Sequence, residues 1–154
     1  VRFRRRAPLS LPDAEQLLQK AREQLRKLRE EGVSHGDLRR AETKVRGAIA
    51  EVARAKKPPG SPQIVSEVQA LKIGDIGLVG VPGEPFTETV LAIKQCSPFA
   101  ATAAVSYAND EIGYFPDARS VSAGTYEVLK SPFGSDAAEV LREAALRTLR
   151  NART

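Results

Sequence analysis

The sequence predicts a mixed fold, α+β or α/β: an N-terminal antiparallel helical hairpin, then a β-hairpin and a strand-helix-strand unit, then a C-terminal helix. Three observations predict it. Apolar residues recur at spacings of three and four through residues 1–57; the run Lys56-Lys57-Pro58-Pro59-Gly60-Ser61-Pro62 halts that rhythm; and beyond it β-branched residues collect into short runs closed by Gly and Pro. The chain therefore divides into a basic hairpin over 1–57, a linker over 58–63 and an α/β portion over 64–154. With 154 residues, 42% hydrophobic and 28% charged, it has the size and composition of one folded domain.

The first helix starts after Ser10-Leu11-Pro12-Asp13, which places Pro in the first turn and an acid behind it, and carries Ala14, Leu17, Leu18, Ala21, Leu25 and Leu28 as one stripe. Gly32 supplies the stop. A second helix begins around Ser34 to Asp37, with His35 in the turn, and carries Leu38, Ala41, Val45, Ala48, Val52 and Ala55 at seam-like spacing. The two stripes pack antiparallel across the short connection.

After the linker, Ile64 to Val81 forms two strands folded at Gly74-Asp75. The second ends at Pro82-Gly83-Glu84-Pro85, and Phe86, Val90 and Ile93 share one face of a following helix of about ten residues. Ala101 to Tyr107 is a third strand, apolar enough to be fully buried. Asn109 to Thr125 is expected to be mostly irregular, and Asp136 to Arg150 closes the chain as an amphipathic helix through Ala137, Val140, Leu141, Ala144 and Leu149.

Charge is distributed as unevenly as structure. Residues 1–57 hold sixteen Lys or Arg against eight Asp or Glu, whereas 58–154 hold eight against eleven, so the net +5 belongs to the front. A basic face of this kind suits an anionic membrane surface or another anionic partner. The competing reading is a solvated helical face: Arg26, Lys27, Arg29, Arg39, Arg40, Lys44 and Arg46 fall mostly off the apolar stripes, interleaved with Glu. Without interleaved aromatics, no nucleic acid is expected. A single cysteine, Cys96, excludes an internal disulfide, and a single histidine excludes a His-x-x-x-His metal motif. No apolar run reaches the length of a membrane-spanning helix.

Glu84 stands after a strand and at the mouth of a helix, where a carboxylate is either a functional acid or a cap that gains about 0.3–1 kcal/mol from the helix dipole. Tyr114 and Tyr126 lie in or beside the long irregular stretch, as site residues or as packing residues.

Four runs carry a resemblance: Ala70 to Phe86, with its core Gly80-Val81-Pro82-Gly83-Glu84-Pro85-Phe86; Ser97-Pro98-Phe99; Tyr107-Ala108-Asn109-Asp110-Glu111-Ile112-Gly113-Tyr114-Phe115-Pro116; and Gly124-Thr125-Tyr126-Glu127. In this order and at these separations they resemble the latter part of the catalytic domain of neutral/alkaline, non-lysosomal ceramidases and their bacterial ceramidase-like relatives. The likeness covers about residues 64–150, and the hairpin before it is similar to the preceding segment in the bacterial relatives.

The resemblance implies a larger layered α/β catalytic domain and hydrolysis of an N-acyl amide bond, in ceramide or a related lipid amide, with one zinc ion held by two histidines, a glutamate and a tyrosine. It assigns the glutamate ligand to Glu84 and the tyrosine ligand to Tyr114. Tyr126, twelve residues after Tyr114, takes the place of the tyrosine that hydrogen-bonds the reacting carbonyl. Asp117 stands where the family often has Thr. The two histidines belong upstream in the family and have no counterpart here. The chain is therefore expected to be the C-terminal portion of a longer polypeptide, or one piece of a cleaved one, that depends on its upstream segment and alone binds zinc weakly without hydrolysing amides. The alternative from a different class is a non-catalytic interaction module whose basic hairpin binds a partner or an anionic surface.

Overall fold

A computed structural model describes residues 1–58, 60–122 and 124–154. Pro59, inside the expected linker, and Ala123, inside the expected irregular stretch, lie outside the described residues. The fold is α+β, and its elements run β1 (Arg2–Arg4), α1 (Leu11–Glu30), α2 (His35–Ala55), β2 (Gln63–Val65), β3 (Gln69–Ile73), β4 (Ile76–Gly80), β5 (Glu84–Pro85), α3 (Thr87–Gln95), β6 (Ala101–Val105), β7 (Tyr114–Phe115), α4 (Ala118–Val121), α5 (Tyr126–Lys130) and α6 (Ala137–Arg153). No described helix is long and apolar enough to cross a membrane.

The hairpin forms as its periodicity requires. Ser10 caps α1 by accepting the Asp13 N–H, and Ser34 caps α2 by accepting the Asp37 N–H. Between them, the Gly32 and Val33 N–H groups return to the Arg29 and Leu28 carbonyls, closing α1 with the paired bonds of a Schellman turn. Ala14, Ala41 and Ala48 are buried along the facing stripes. Glu51 falls beside the stripe and is nonetheless buried, because Arg6 and Arg54 meet its carboxylate and donate onward to the Leu129 and Lys130 carbonyls. Those contacts tie the hairpin to α5. Gly47 completes the tie: a Cβ there would lie 2.4 Å from Leu129 Cδ1, so only glycine allows α2 and α5 to come this close.

The main sheet has the order β3-β4-β6, with β3 and β4 antiparallel about Gly74-Asp75 and β4 and β6 parallel through the α3 crossover. Helix α6 packs across one face, burying Val79, Leu141, Ala145 and Leu149. At the end of this core, Phe3, Phe115 and Phe133 form an aromatic cluster with ring centroids 4.3 to 5.3 Å apart.

Three expectations are corrected. The basic N-terminal residues are not all hairpin: β1 pairs antiparallel with β2 across the anticipated boundary and inserts Phe3 into the rear core. The stretch Asn109 to Thr125 contains β7 and α4 rather than being mostly irregular. Strand β6 is not fully buried, because it edges the sheet and none of the described elements covers the second face. On that face the register aligns Leu71 with Leu78 and Ala103, and Ile73 with Ile76. Leu71, Ile73, Ile76 and Val105 are 46 to 60% exposed there.

Candidate functional site

Beyond the end of β4, the chain turns through Val81-Pro82-Gly83 into β5, and the segment after β6 wraps around that turn. Tyr107 N–H donates to the Gly83 carbonyl (3.2 Å), Ala108 N–H to Val81 (2.9 Å), Ile112 N–H to Pro82 (2.9 Å), and Glu84 N–H to Gly113 (3.0 Å). Strand β5 then runs parallel to β7 with Glu84 opposite Tyr114 and Pro85 opposite Phe115. Alternation along β7 sends Phe115 into the aromatic cluster and leaves Tyr114 on the other side, half-buried beside Glu84. The approach requires Gly83, because a Cβ there would stand 2.3 Å from the Gly113 carbonyl oxygen.

Glu84 does not cap the following helix. The N-cap of α3 is Phe86, and the Glu84 carboxylate instead accepts a hydrogen bond from the Tyr107 hydroxyl through Oε2. Tyr107 reaches it from a left-handed backbone conformation, φ 58°, which is uncommon for a bulky residue and is followed by Asn109 at φ 68°. The sequence reading extended a strand through Tyr107; the strand ends at Val105, and Tyr107 lies beyond it in the left-handed conformation from which its phenol bonds Glu84.

Tyr126 opens α5 and meets Tyr114 edge-on, ring centroids 6.3 Å apart at 71°. The two tyrosines assigned by resemblance and Glu84 are thus brought together. His35 is not among them: it is the exposed first residue of α2.

Electrostatically the site is acidic. The hydrogen bond to Glu84 pushes the Tyr107 phenol up to about 12, reinforced by desolvation and by the charges of Glu84 and Glu111. Burial raises Tyr114 above an ordinary phenol, and Glu84, Glu127 and Glu111 add to it by opposing a further negative charge nearby. Such a cluster favours a cation, and a carboxylate oxygen is among the donors that zinc accepts. Among the described residues no group of three or more His, Cys, Asp and Glu side chains could enclose a metal. Glu84 and Tyr114 offer two oxygen donors, short of the three protein ligands of a catalytic zinc site.

Beside Tyr126 a cleft of about 580 Å³ separates α2 from the start of α5, lined by Arg39, Arg40, Thr43 and Lys44 on one wall and Thr125, Tyr126 and Glu127 on the other. The sequence reading took these cations as a solvated face. They are exposed, but the packing of α5 against α2 also brings them to the wall beside Tyr126.

Comparison with known protein families, with curated proteins and with solved structures gives no match to this chain.

Proposed function

We propose that this chain supplies the Glu-Tyr half of a zinc-dependent amidohydrolase site of the neutral ceramidase type, acting on the N-acyl bond of ceramide or a related lipid amide. The observation that carries the proposal is the pairing of Glu84 with Tyr114 across β5 and β7, with Tyr126 edge-on to Tyr114. Glu84 and Tyr114 would hold the zinc, together with histidines from an upstream segment of the same polypeptide. Zinc, when bound, supplies a Lewis acid for polarising the amide carbonyl and acidifying water. Tyr107 holds one carboxylate oxygen of Glu84 and so fixes the orientation of the ligand. Tyr126 donates its hydroxyl proton in a hydrogen bond to the carbonyl oxygen as negative charge builds there, a contact worth about 2.7–4 kcal/mol in such sites.

The bare sheet face supports the same reading. Leu71, Ile73, Ile76 and Val105 present an apolar surface of the kind that packs under another layer, in keeping with a chain that forms one side of a larger domain.

The test is co-expression of the chain with its native upstream sequence, followed by measurement of zinc stoichiometry and hydrolysis of a fluorogenic N-acyl sphingoid. Glu84→Gln and Tyr114→Phe are expected to lower zinc content. Tyr126→Phe is expected to retain zinc and lose about 10²–10³ in kcat. Parental zinc content and rate in the Glu84 and Tyr114 variants would overturn the assignment.

A further inference from the structure

We infer that the bare face of the β3-β4-β6 sheet is the seat of the upstream segment that completes the metal site, and that this segment reaches Glu84 by passing over Tyr107. The inference rests on the hydrolase reading for the metal donors, but not for the docking. Alternate positions of the three strands share the face, from Gln69, Leu71 and Ile73 on β3, through Ile76 on β4, to Val105 on β6, and none of them carries a charge. A sheet face that meets water alternates apolar with polar residues, and a parallel pair such as β4 and β6 is normally covered on both sides. Here α6 covers one side, and on the other Ile76 lies in the central strand and is still 46% exposed.

The face runs directly into the site. Strands β4 and β6 are parallel, so both deliver the chain to the same end, one into the turn before Glu84 and the other into Tyr107. Residues 107–109 then cross onto the bare side. Asn109 Nδ2 donates to Gln69 Oε1 at 3.4 Å, and Gly80 has no side chain where Ala108 passes, since a Cβ there would stand 2.8 Å from the Ala108 Cβ. The stretch that walls the face at this end is thus the one whose Tyr107 hydroxyl bonds the Glu84 carboxylate. An element seated on Leu71, Ile76 and Val105 abuts that wall, and its end overhangs a site with two oxygen donors where a catalytic zinc takes three protein ligands.

Size and chemistry decide between occupants. Three strands about 4.8 Å apart and five residues long, at about 3.3 Å each, form a patch of about 14 by 17 Å, or about 240 Å² in projection. Even doubled for side-chain relief, it falls short of the roughly 800 Å² per partner that a free-standing interface buries. A segment of the same polypeptide does not need that area, because a short tether holds it at an effective concentration in the millimolar range. A second copy would also bring to the patch only the same uncharged side chains and no metal donor. The occupant is therefore a tethered layer, apolar on its underside, with its metal donors at the end above Tyr107.

Thiol labelling tests the docking without reading activity. In a Cys96→Ser background, Ile73→Cys and Val105→Cys place single thiols at the two ends of the face, and Lys27→Cys places a control on the hairpin; all three positions are exposed. In the 154-residue chain alone, the three thiols are expected to react with a maleimide at similar rates. In the polypeptide that includes the native upstream sequence, the two face thiols should slow by at least about tenfold and the control should not. Leu71→Lys/Ile76→Lys sets two charges under the layer at positions exposed in the chain, and circular dichroism of the 154-residue chain checks its fold. It should undo the protection of Val105→Cys and lower the zinc content of the longer polypeptide. Face thiols that stay reactive in the longer polypeptide overturn the docking, as does protection already present in the chain alone and lost on dilution, which assigns the face to a second copy. Parental zinc content in Leu71→Lys/Ile76→Lys overturns the link between face and site. Protected thiols combined with parental zinc content in Glu84→Gln would overturn the hydrolase reading and leave the docking standing.

Discussion

Gly83→Ala tests the join between core and site. The added Cβ would lie 2.3 Å from the Gly113 carbonyl oxygen and 2.9 Å from Phe115 Cε2. The first neighbour is backbone and the second belongs to a fully buried ring, so neither can swing aside as a flexible side chain would. Restoring ordinary contact requires β7 to retreat from β5 by about 1 Å. That displacement breaks or stretches the Glu84 N–H to Gly113 bond of 3.0 Å and the Ile112 N–H to Pro82 bond of 2.9 Å. Overpacking costs about 1–3 kcal/mol, and each of the two weakened bonds adds about 0.5–1.5 kcal/mol, which gives about 4 kcal/mol in total. With a urea m-value of about 2 kcal/mol/M for a chain of this size, the unfolding midpoint should fall by about 2 M. The same retreat separates Glu84 from Tyr114, so the variant should also lose zinc in the co-expressed protein. A midpoint within about 0.3 M of the parent, with zinc retained, would show that the close approach of β5 and β7 is not what builds the site.

Two further outcomes are expected. Gly47→Ala drives a Cβ against Leu129 at 2.4 Å and should destabilise the chain by about 1–3 kcal/mol, and adding Leu129→Ala should recover part of that loss in a double-mutant cycle; additive losses would count against a shared contact. In the metal-free chain, absorbance titration of the three tyrosines should place Tyr107 near 12 and Tyr114 also above the free phenol. Because the folded value of Tyr107 lies above its unfolded one of about 10, the hydrogen bond to Glu84 contributes fully below pH 10 and is lost as pH rises through 12. Glu84→Gln should bring the Tyr107 step down toward 10, and a single shared step near 10 in the parent chain would refute the pairing.

Much of the molecule was legible locally. The two long helices, their caps at Ser10 and Ser34, the hairpin turn at Gly74-Asp75, α3 and α6 each follow from periodicities and stop signals contained within some twenty residues. The order of the motifs also singled out Glu84, Tyr114 and Tyr126, three residues that the fold does gather. Tyr107 was not legible as a site residue, since nothing in an apolar, β-branched run announces that its backbone reverses two residues past the strand. Glu51 was equally hidden: its place beside a seam reads as solvent-facing until Arg6, forty-five residues away, arrives to pair with it.

What the sequence by itself determined is therefore the set of elements and the residue types that could do chemistry, because both depend on interactions along a few turns of chain. Only the tertiary structure decided which segments meet. Arg2 pairs with Val65, Glu84 with Tyr114, and α2 with α5, and each pairing depends on register and shape across long separations in the chain. The burial of one sheet face under α6 and the exposure of the other follow from the same cause: an alternating strand has two faces, and which of them is covered is settled by its neighbours. The basic residues of α2 show it most directly. Their positions were plain from the sequence, and they became the wall of a cleft when α5 packed beside them and set Tyr126 opposite.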